Sequence, residues 1–246
     1  MAETIDLSVV IPAYNEALRL GATLAKVRAY LDAAEEVGEI IVVDDGSADD
    51  TAEVARRELA GFEHFQVLRN EPNAGKGASV RRGMLAAAGD TVLFSDADMS
   101  VEITDWDVLR EAHHAGWPIA IGSRAVAGSR IEIHQAWHRE LMGRCFNLFI
   151  RAFVMGGLRD TQCGFKSFRR EVIAPIFSRQ TIDRWGFDVE ILYLARRLGI
   201  GIAEVPVVWR NDAATKINAG ADGFKMLGEA LAARRLHKHL TPADRG

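Results

Sequence analysis

The alternation of short apolar runs with helical segments along the first half of the sequence limits the fold more than any other feature. Mainly apolar runs predict β-strands at 7–11, 39–43, 65–68, 91–94 and 118–122. Segments with helical periodicity predict helices between them, at 18–34, 49–59, 78–88 and 105–114. Because consecutive parallel strands are joined by crossover helices, this order predicts an α/β fold with a mostly parallel, Rossmann-like sheet and helices on both faces.

Polar residues follow four of the five predicted strands. They lie within the segment 12–16 after the first strand, and they are Asp44 and Asp45 after the second, Asp96 and Asp98 after the fourth, and Ser123 and Arg124 after the fifth. The carboxyl ends of parallel strands meet at one edge of the sheet, where open α/β sheets bind their ligands. We therefore expect a binding site at this edge, and we expect Pro12 to end the first strand.

Asp96 and Asp98 are separated by one residue and directly follow an apolar strand. If the strand continues, both carboxylates point the same way, and a hard divalent cation such as Mg²⁺ or Mn²⁺ can share them with substrate phosphates. The alternative is a turn in which an aspartate caps the next helix.

Two common nucleotide-binding motifs are absent from the sequence. No G-x-G-x-x-G follows the first strand, and Gly75-Lys76-Gly77 lacks the upstream glycine and the hydroxyl of a P-loop. A metal beside a strand-end pocket, with Tyr14 and Asp45 available for a base and a ribose, instead suggests a nucleoside diphosphate that leaves during the reaction. Lys76 and Arg124 are candidates to stabilise its charge; the alternative for Lys76 is a solvated loop lysine.

Composition excludes several classes of protein. The 246 residues are 48% hydrophobic and carry a formal net charge of −4, which is ordinary for a globular protein and gives no indication of nucleic-acid binding. The two cysteines, Cys145 and Cys163, form no C-x-x-C pair and favour a reducing compartment. No signal peptide or apolar run of membrane-spanning length is visible. We expect a cytoplasmic protein, free or at the cytoplasmic face of a membrane; its oligomeric state is left open.

Seven stretches, in order, carry a family resemblance. They are VVIPAYNE at 9–16, IIVVDDGSADDT at 40–51, NAGKGASVRRGM at 73–84, DADMS at 96–100, AIGSR at 120–124, DTQCGFKSF at 160–168 and RWGFDVEIL at 184–192. With these motifs the sequence resembles the family 2 inverting glycosyltransferases, and among them the polyprenyl-phosphate (dolichyl-phosphate) glucosyltransferases. The resemblance covers the chain to about residue 216.

The resemblance implies a GT-A type fold and a metal-dependent transfer of glucose from UDP-glucose to a polyprenyl phosphate. It implies that Asp96 and Asp98 hold Mg²⁺ or Mn²⁺, and that Arg124 and Asp98 take part in catalysis. The residues that it implies for the nucleotide-sugar are Pro12, Ala13, Tyr14, Glu16, Asp44, Asp45, Lys76, Asp96 and Ala97. Transfer of mannose from GDP-mannose, transfer to a soluble or polysaccharide hydroxyl, and a sensor that binds a nucleotide-sugar without transfer remain alternatives.

A phosphate acceptor is already largely anionic at neutral pH, so it needs cations to place it more than a base to activate it. By the resemblance, Arg139, Arg210 and Lys216 are expected near the acceptor phosphate. Asp188 falls where related enzymes place their catalytic aspartate, and it either orients the acceptor or takes a proton. The alternative for Asp188 is an acid that is stabilised at a helix N-terminus. Cys163 is expected to be a packed residue rather than a nucleophile.

Two segments of the sequence have the pattern of amphipathic helices. In 139–155 the polar residues form one narrow stripe and the rest is apolar and aromatic, which is typical of a membrane-surface helix or of a helix packed on the sheet. A helix at 224–240 ends in basic residues that suit anionic headgroups or solvent. We therefore predict a catalytic domain at 1–216, with a nucleotide-sugar half at about 1–124 and an acceptor half at about 125–216, followed by a basic helix and tail at 217–246.

Overall fold

The predicted alternation of strands and helices is present in the first half of the protein. The computed structural model describes residues 4–211 and 219–245, without the side chains of residues 138, 139 and 219–222. The first elements are β1 (Leu7–Ala13), α1 (Leu20–Ala33), β2 (Gly38–Asp44), α2 (Thr51–Leu59), β3 (Phe65–Arg69), α3 (Lys76–Ala86), β4 (Thr91–Ser95), α4 (Trp106–His114) and β5 (Ile119–Ser123). All five predicted strands and all four predicted helices are confirmed, with ends that shift by a few residues.

The prediction that the first strand ends at Pro12 is wrong, because the strand continues to Ala13. The backbone N–H groups of alternate residues face opposite neighbouring strands, and the Ala13 carbonyl accepts a hydrogen bond on the β2 side. Pro12 therefore faces β4, where the pairing with β1 already stops at Val10. Its missing N–H breaks no ladder hydrogen bond, which is why proline is tolerated here.

The second half inserts a strand into the sheet. Its elements are β6 (Arg130–Ile133), α5 (Trp137–Phe153), β7 (Phe165–Arg169), α6 (Arg170–Phe177), α7 (Phe187–Arg197), β8 (Ile202–Pro206), β9 (Val208–Arg210) and α8 (Ala219–His237). The main sheet has seven strands in the order β3-β2-β1-β4-β7-β5-β8, and β6 pairs with β9 in a separate two-stranded sheet. Strand β7 is antiparallel to both neighbours, so the sheet is mostly parallel, as predicted, with one reversed strand between β4 and β5.

Alternate residues of the central strands feed two apolar layers, one on each face of the sheet. Val10, Phe94 and Phe168 belong to one layer together with residues of α3 and α5 to α8. Val9 and Leu93 belong to the other, together with residues of α1, α2 and α4. Burying a side chain of this size contributes about 1.5–3 kcal/mol, so both layers fix the carboxyl edge of the sheet firmly.

Helix α8 is part of the first layer, because Ala230 and Ala233 are fully buried. The Nε2 atom of His237 at its end lies 2.7 Å from Oε1 of Glu190 on α7. Glu190 also accepts the backbone N–H of Ile182 at 2.8 Å. The predicted boundary at 216/217 lies outside the described residues, and the division into domains stays a prediction. In the described parts of the chain, no helix is long and apolar enough to cross a membrane.

Candidate active site

A cavity of about 880 Å³ opens at the carboxyl edge of the main sheet and continues between α5 and α8. It brings together eleven of the residues predicted from the sequence. They are Pro12, Ala13, Tyr14, Glu16, Asp45, Lys76, Asp96, Ala97, Asp98, Arg124 and Asp188. The strand ends thus converge as expected, and the helices of the second half close the other side.

Asp96 and Asp98 lie in a turn rather than on a continued strand. Strand β4 ends at Ser95, and the chain then reverses, with the N–H of Met99 bonded to the carbonyl of Asp96 at 3.2 Å. Met99 has a positive φ of 49°. The expectation that both carboxylates share one face of a strand is therefore wrong, but the turn still directs both into the cavity.

The two carboxylates are close enough to disturb each other. Burial raises the pKa of Asp98, and the neighbouring carboxylate of Asp96 raises it further. Such a pair of oxygen donors at a partly buried position fits a hard divalent cation. Among the described residues no group of three or more His, Cys, Asp or Glu side chains gathers to bind a metal. A cation at Asp96 and Asp98 would therefore take its remaining ligands from substrate oxygens and water.

Lys76 is the first residue of α3 and lies beside Asp96 rather than in solvent. Its Nζ is 2.6 Å from Oδ1 of Asp96, and it lies over the rings of Phe94 and Trp185 at 5.4 and 5.2 Å from their centroids. Burial alone lowers the pKa of Lys76, but the carboxylates of Asp96 and Asp188 outweigh burial and raise it. Lys76 therefore stays a cation at the polar end of the cavity.

Gly164 lies just before β7. Because it has no side chain, the carboxylate of Asp96 can occupy the space beside it. Its carbonyl accepts the N–H of Asp96 at 3.1 Å. A Cβ atom on Gly164 would come within 1.9 Å of Oδ2 of Asp96. Sequence reasoning did not find this contact, because the two residues are far apart in the chain; the only signal was the DTQCGFKSF motif.

At the end of β2, Asp44 and Asp45 face different ways. Asp45 lines the cavity and is buried, and its carboxylate accepts the N–H groups of Ala74 at 3.0 Å and Gly75 at 2.9 Å, so it shapes the loop before α3. Asp44 does not line the cavity; its carboxylate pairs with Arg69 at 2.9 Å. The predicted contact of Asp44 with the nucleotide is not supported, because successive residues at a strand end point to opposite sides.

Tyr14 and Glu16 lie on the loop after β1. Tyr14 is 43% exposed, whereas Glu16 is buried and forms an ion pair with Arg19. Arg19 also lines the cavity but was not predicted. The other unpredicted polar or aromatic lining residues include Asn73, Gln162, Arg184, Trp185 and Trp209.

Arg124 is held in place by a buried carboxylate. Its Nε and Nη2 atoms donate to Asp160 at 2.6 and 2.9 Å, and its guanidinium lies 5.5 Å from the centroid of the Trp209 ring. Burial alone raises the pKa of Asp160, but the Arg124 charge outweighs burial and lowers it to about 2. Arg124 thus presents a fixed positive charge to the cavity, which suits a phosphate.

Asp188 lies in the first turn of α7, faces the cavity and is almost fully buried. Its Oδ1 accepts a hydrogen bond from Nζ of Lys166 at 2.5 Å. The structure thus places Asp188 both at a helix N-terminus and in the wall of the cavity, and its role in the reaction stays a prediction. Cys163 is packed as expected, and burial raises the pKa of its thiol to about 12.

The cavity is apolar where it passes between α5 and α8. We call this part the apolar arm, and its residues are Met142, Phe146, Phe149, Phe224, Met226 and Leu227. The first three come from α5 and the others from α8, and the two helices pack against each other. The site therefore has a charged end at the sheet and an apolar end between two helices.

Of the three basic residues predicted near the acceptor phosphate, the structure describes the side chain of Arg210. Arg210 does not line the cavity; its guanidinium pairs with Glu102 at 2.9 Å and Glu132 at 2.6 Å. Its predicted contact with the acceptor phosphate is therefore not supported by this arrangement. The Arg139 side chain and Lys216 lie outside the described residues, so their roles stay predictions.

Comparisons with known proteins agree with this arrangement. Residues 8–177 match the family described as Glycosyl transferase family 2. The chain is 35% identical over 244 residues to the dolichyl-phosphate beta-glucosyltransferase of Dictyostelium discoideum, covering 94% of this chain and 75% of that protein. It is 36% identical over 227 residues to the human protein of the same name, covering 87% and 70%.

Solved structures show the same fold at low sequence identity. Glucosyl-3-phosphoglycerate synthase from Mycobacterium tuberculosis, in complex with Mn²⁺, UDP-glucose and phosphoglyceric acid, superposes with a TM-score of 0.70 at 21% identity, covering 94% of this chain and 80% of that one. Mannosyl-3-phosphoglycerate synthase from Rubrobacter xylanophilus gives a TM-score of 0.70 at 21% identity, covering 98% and 76%.

Proposed function

The chain belongs to glycosyl transferase family 2 and is therefore a glycosyltransferase, and we propose that it transfers glucose from UDP-glucose to a polyprenyl phosphate with the help of a divalent cation. Two earlier expectations are confirmed by the comparisons: the resemblance to dolichyl-phosphate beta-glucosyltransferases and the GT-A type α/β fold. The donor, the cation and the acceptor are proposals, supported by the site as follows.

The single observation that carries the proposal is the continuity of the charged end of the cavity with the apolar arm. A polyprenyl phosphate has the same division, with one charged group at the end of a hydrocarbon chain. Phe146 and Phe149 supply apolar surface on the α5 side, and Met226 and Leu227 on the α8 side. A hydroxyl acceptor such as a sugar would gain nothing from this surface, because burying apolar residues against polar groups is unfavourable.

At the charged end, we assign the nucleotide to the walls formed by Tyr14 and Asp45, and its diphosphate to Asp96, Asp98 and Lys76. A cation at the two aspartates, Mg²⁺ or Mn²⁺, supplies positive charge to the departing diphosphate. The solved complex with Mn²⁺ and UDP-glucose has the same fold, which supports the pairing of cation and donor.

Transfer requires one new bond and one broken bond at the anomeric carbon. An oxygen of the acceptor phosphate bonds to this carbon, and the bond to the UDP oxygen breaks, so that the charge passes to the leaving diphosphate. Lys76 faces the side of the diphosphate, and Arg124, fixed by Asp160, provides a cation for the acceptor phosphate. Arg139 and Lys216 are kept in the same role as proposals. We likewise retain the nucleotide-sugar half to about residue 124 and the acceptor half from about 125.

The direct test offers labelled UDP-glucose or GDP-mannose to the purified protein with Mg²⁺ or Mn²⁺ and a short polyprenyl phosphate, with a soluble sugar as the competing acceptor. We expect a chloroform-extractable product from UDP-glucose only. Label that stays in water with every acceptor contradicts the lipid acceptor, and a product from GDP-mannose alone contradicts the donor. Tight binding of UDP-glucose without any product would identify a sensor.

We also propose that one surface of α5 rests on the membrane that holds the acceptor. Trp137, Leu141 and Leu148 are 76%, 52% and 59% exposed and lie on one side of the helix. We call them the α5 apolar stripe. Arg144 and Arg151 flank it and are exposed, which suits anionic headgroups.

Replacing the three stripe residues with alanine is expected to weaken binding to vesicles that contain anionic lipid by about tenfold or more, because apolar area is lost from the interface. Sedimentation with vesicles measures this. The matched control is Leu18→Ala, Leu85→Ala and Val108→Ala together, since these residues are also exposed but lie elsewhere. Equal losses in both variants would contradict the proposed surface, and so would unchanged binding of the stripe variant.

A further inference from the structure

Lys166 is a fully buried lysine for which the proposed reaction has so far given no role. It lies on β7, where it is paired with Phe94 of β4 on one side and with Ile121 of β5 on the other. Its Nζ donates to the carbonyl of Cys163 at 2.6 Å and to Oδ1 of Asp188 at 2.5 Å. The same atom lies 5.7 Å from the centroid of the Phe94 ring.

A buried ion pair of this kind is poorly explained by stability alone. Removing two charges from water is costly, and replacing such a pair with apolar residues is often neutral or stabilising. The position of the pair is more informative, because Lys166 is 0% exposed whereas its partner Asp188 forms part of the cavity wall. The lysine therefore reaches the site through the carboxylate that it holds.

The pair also restricts what Asp188 can do. One of its oxygens, Oδ1, is bonded to the ammonium group, which restrains the rotation of a carboxylate whose residue lines the cavity. An anionic phosphate acceptor needs no proton transfer to Asp188.

We propose that Lys166 is a positioning residue that holds Asp188 as a fixed anion at the cavity wall, so that Asp188 orients the reacting groups instead of accepting a proton. This inference rests on the proposed glucosyl transfer. It assigns to the reversed strand β7 a second task beside that of Gly164, since the segment 163–166 contacts both Asp96 and Asp188.

The test compares the wild type with Asp188→Asn, Lys166→Met, Lys166→Arg and the double variant Lys166→Met/Asp188→Asn. We expect Lys166→Met to lower kcat about 100-fold, as misplacement of a reacting group does, with the KM for UDP-glucose nearly unchanged. Lys166→Arg should retain more activity because it keeps the charge. The double variant should be no slower than Asp188→Asn alone, since Lys166 acts through Asp188.

The double variant also serves if Lys166→Met fails to fold, because it removes both buried charges together. A double variant tenfold slower than Asp188→Asn would show that Lys166 acts independently of Asp188 and would overturn the inference. The pH profile of kcat gives a second readout. The ionisation of the acceptor phosphate should appear in the wild type and in Asp188→Asn alike, whereas an additional acidic ionisation in the wild type alone would show that Asp188 accepts a proton.

Failure of the proposed function is separable from failure of this inference. All variants are also measured for hydrolysis of UDP-glucose, in which water replaces the lipid. A wild type that hydrolyses the donor but makes no lipid product contradicts the acceptor, whereas the comparison of the double variant with Asp188→Asn still decides the role of Lys166. Thermal unfolding of each variant confirms that folded protein is being compared.

Discussion

Replacing Asp98 with asparagine is expected to lower glucosyl transfer by about 100- to 1000-fold, the range seen when a group that stabilises developing charge is removed. Asparagine keeps an oxygen for the N–H of Ser100, which Asp98 accepts at 3.0 Å, so the turn should remain. It removes a negative charge that a divalent cation needs. Steady-state transfer with saturating Mn²⁺ measures the loss.

In contrast to the loss of transfer, the thermal stability of Asp98→Asn should not fall. Burial and the Asp96 carboxylate raise the pKa of Asp98, so the ionised form at neutral pH is disfavoured in the folded protein. Without a cation, Asp98→Asn should therefore have a Tm no lower than that of the wild type. Added Mn²⁺ should raise the Tm of the wild type through binding to the folded state, but not that of the variant.

The matched control for Asp98→Asn is Asp32→Asn. Asp32 is an exposed carboxylate on α1 that lies 3.5 Å from Arg28, remote from the cavity lining. It should retain both transfer and the effect of Mn²⁺ on Tm. If Asp98→Asn transfers glucose at the wild-type rate, or if Mn²⁺ stabilises it as well as the wild type, the cation is not held at Asp98.

Replacing Gly164 with alanine is expected to cost about 100-fold in transfer, because a displacement of about 1 Å in a reacting group has effects of this size. The added Cβ would lie 1.9 Å from Oδ2 of Asp96, so the carboxylate must turn away from its present position. The side chain of Asp96 is short, and its backbone is tied to Gly164 by a hydrogen bond of 3.1 Å, so little room is left for adjustment. The stabilisation of the wild type by Mn²⁺ should weaken in parallel.

Gly228→Ala is the control for this change. Gly228 lies inside α8, and a Cβ on it would meet no atom within 4 Å. Alanine in a helix interior is more favourable than glycine by about 0.5–1 kcal/mol, so this variant should be active and slightly more stable. Full activity in Gly164→Ala would show that the position of Asp96 is not required for transfer.

Local patterns in the sequence predicted the strands whose ends line the cavity. Strands β1, β2, β4 and β5 were found because apolar periodicity depends only on neighbouring residues. Their polar ends were placed at one edge because parallel strands leave no other arrangement. The direction of individual side chains was not given by these patterns, because Asp44 and Asp45 are adjacent in sequence yet of the two only Asp45 lines the cavity.

Contacts between distant segments were not predictable in the same way. Arg210 was expected at the acceptor phosphate, but the folded chain places it between Glu102 and Glu132, which come from other parts of the sequence. Strand β7 was not predicted, and no local pattern states that it runs against its neighbours. Strand order and direction follow from the packing of the whole chain, in which helices on both faces must cover the sheet.

By itself, the sequence determined the α/β class, the edge of the sheet that bears the site, and the two aspartates at its centre. Only the tertiary structure decided how those aspartates are held. The reversed strand β7 enters between β4 and β5, bringing Gly164 against Asp96 and Lys166 against Asp188. The physical reason is that hydrophobic periodicity is local, whereas the pairing of a buried charge or the close approach of two backbones depends on residues that meet only when the chain has folded.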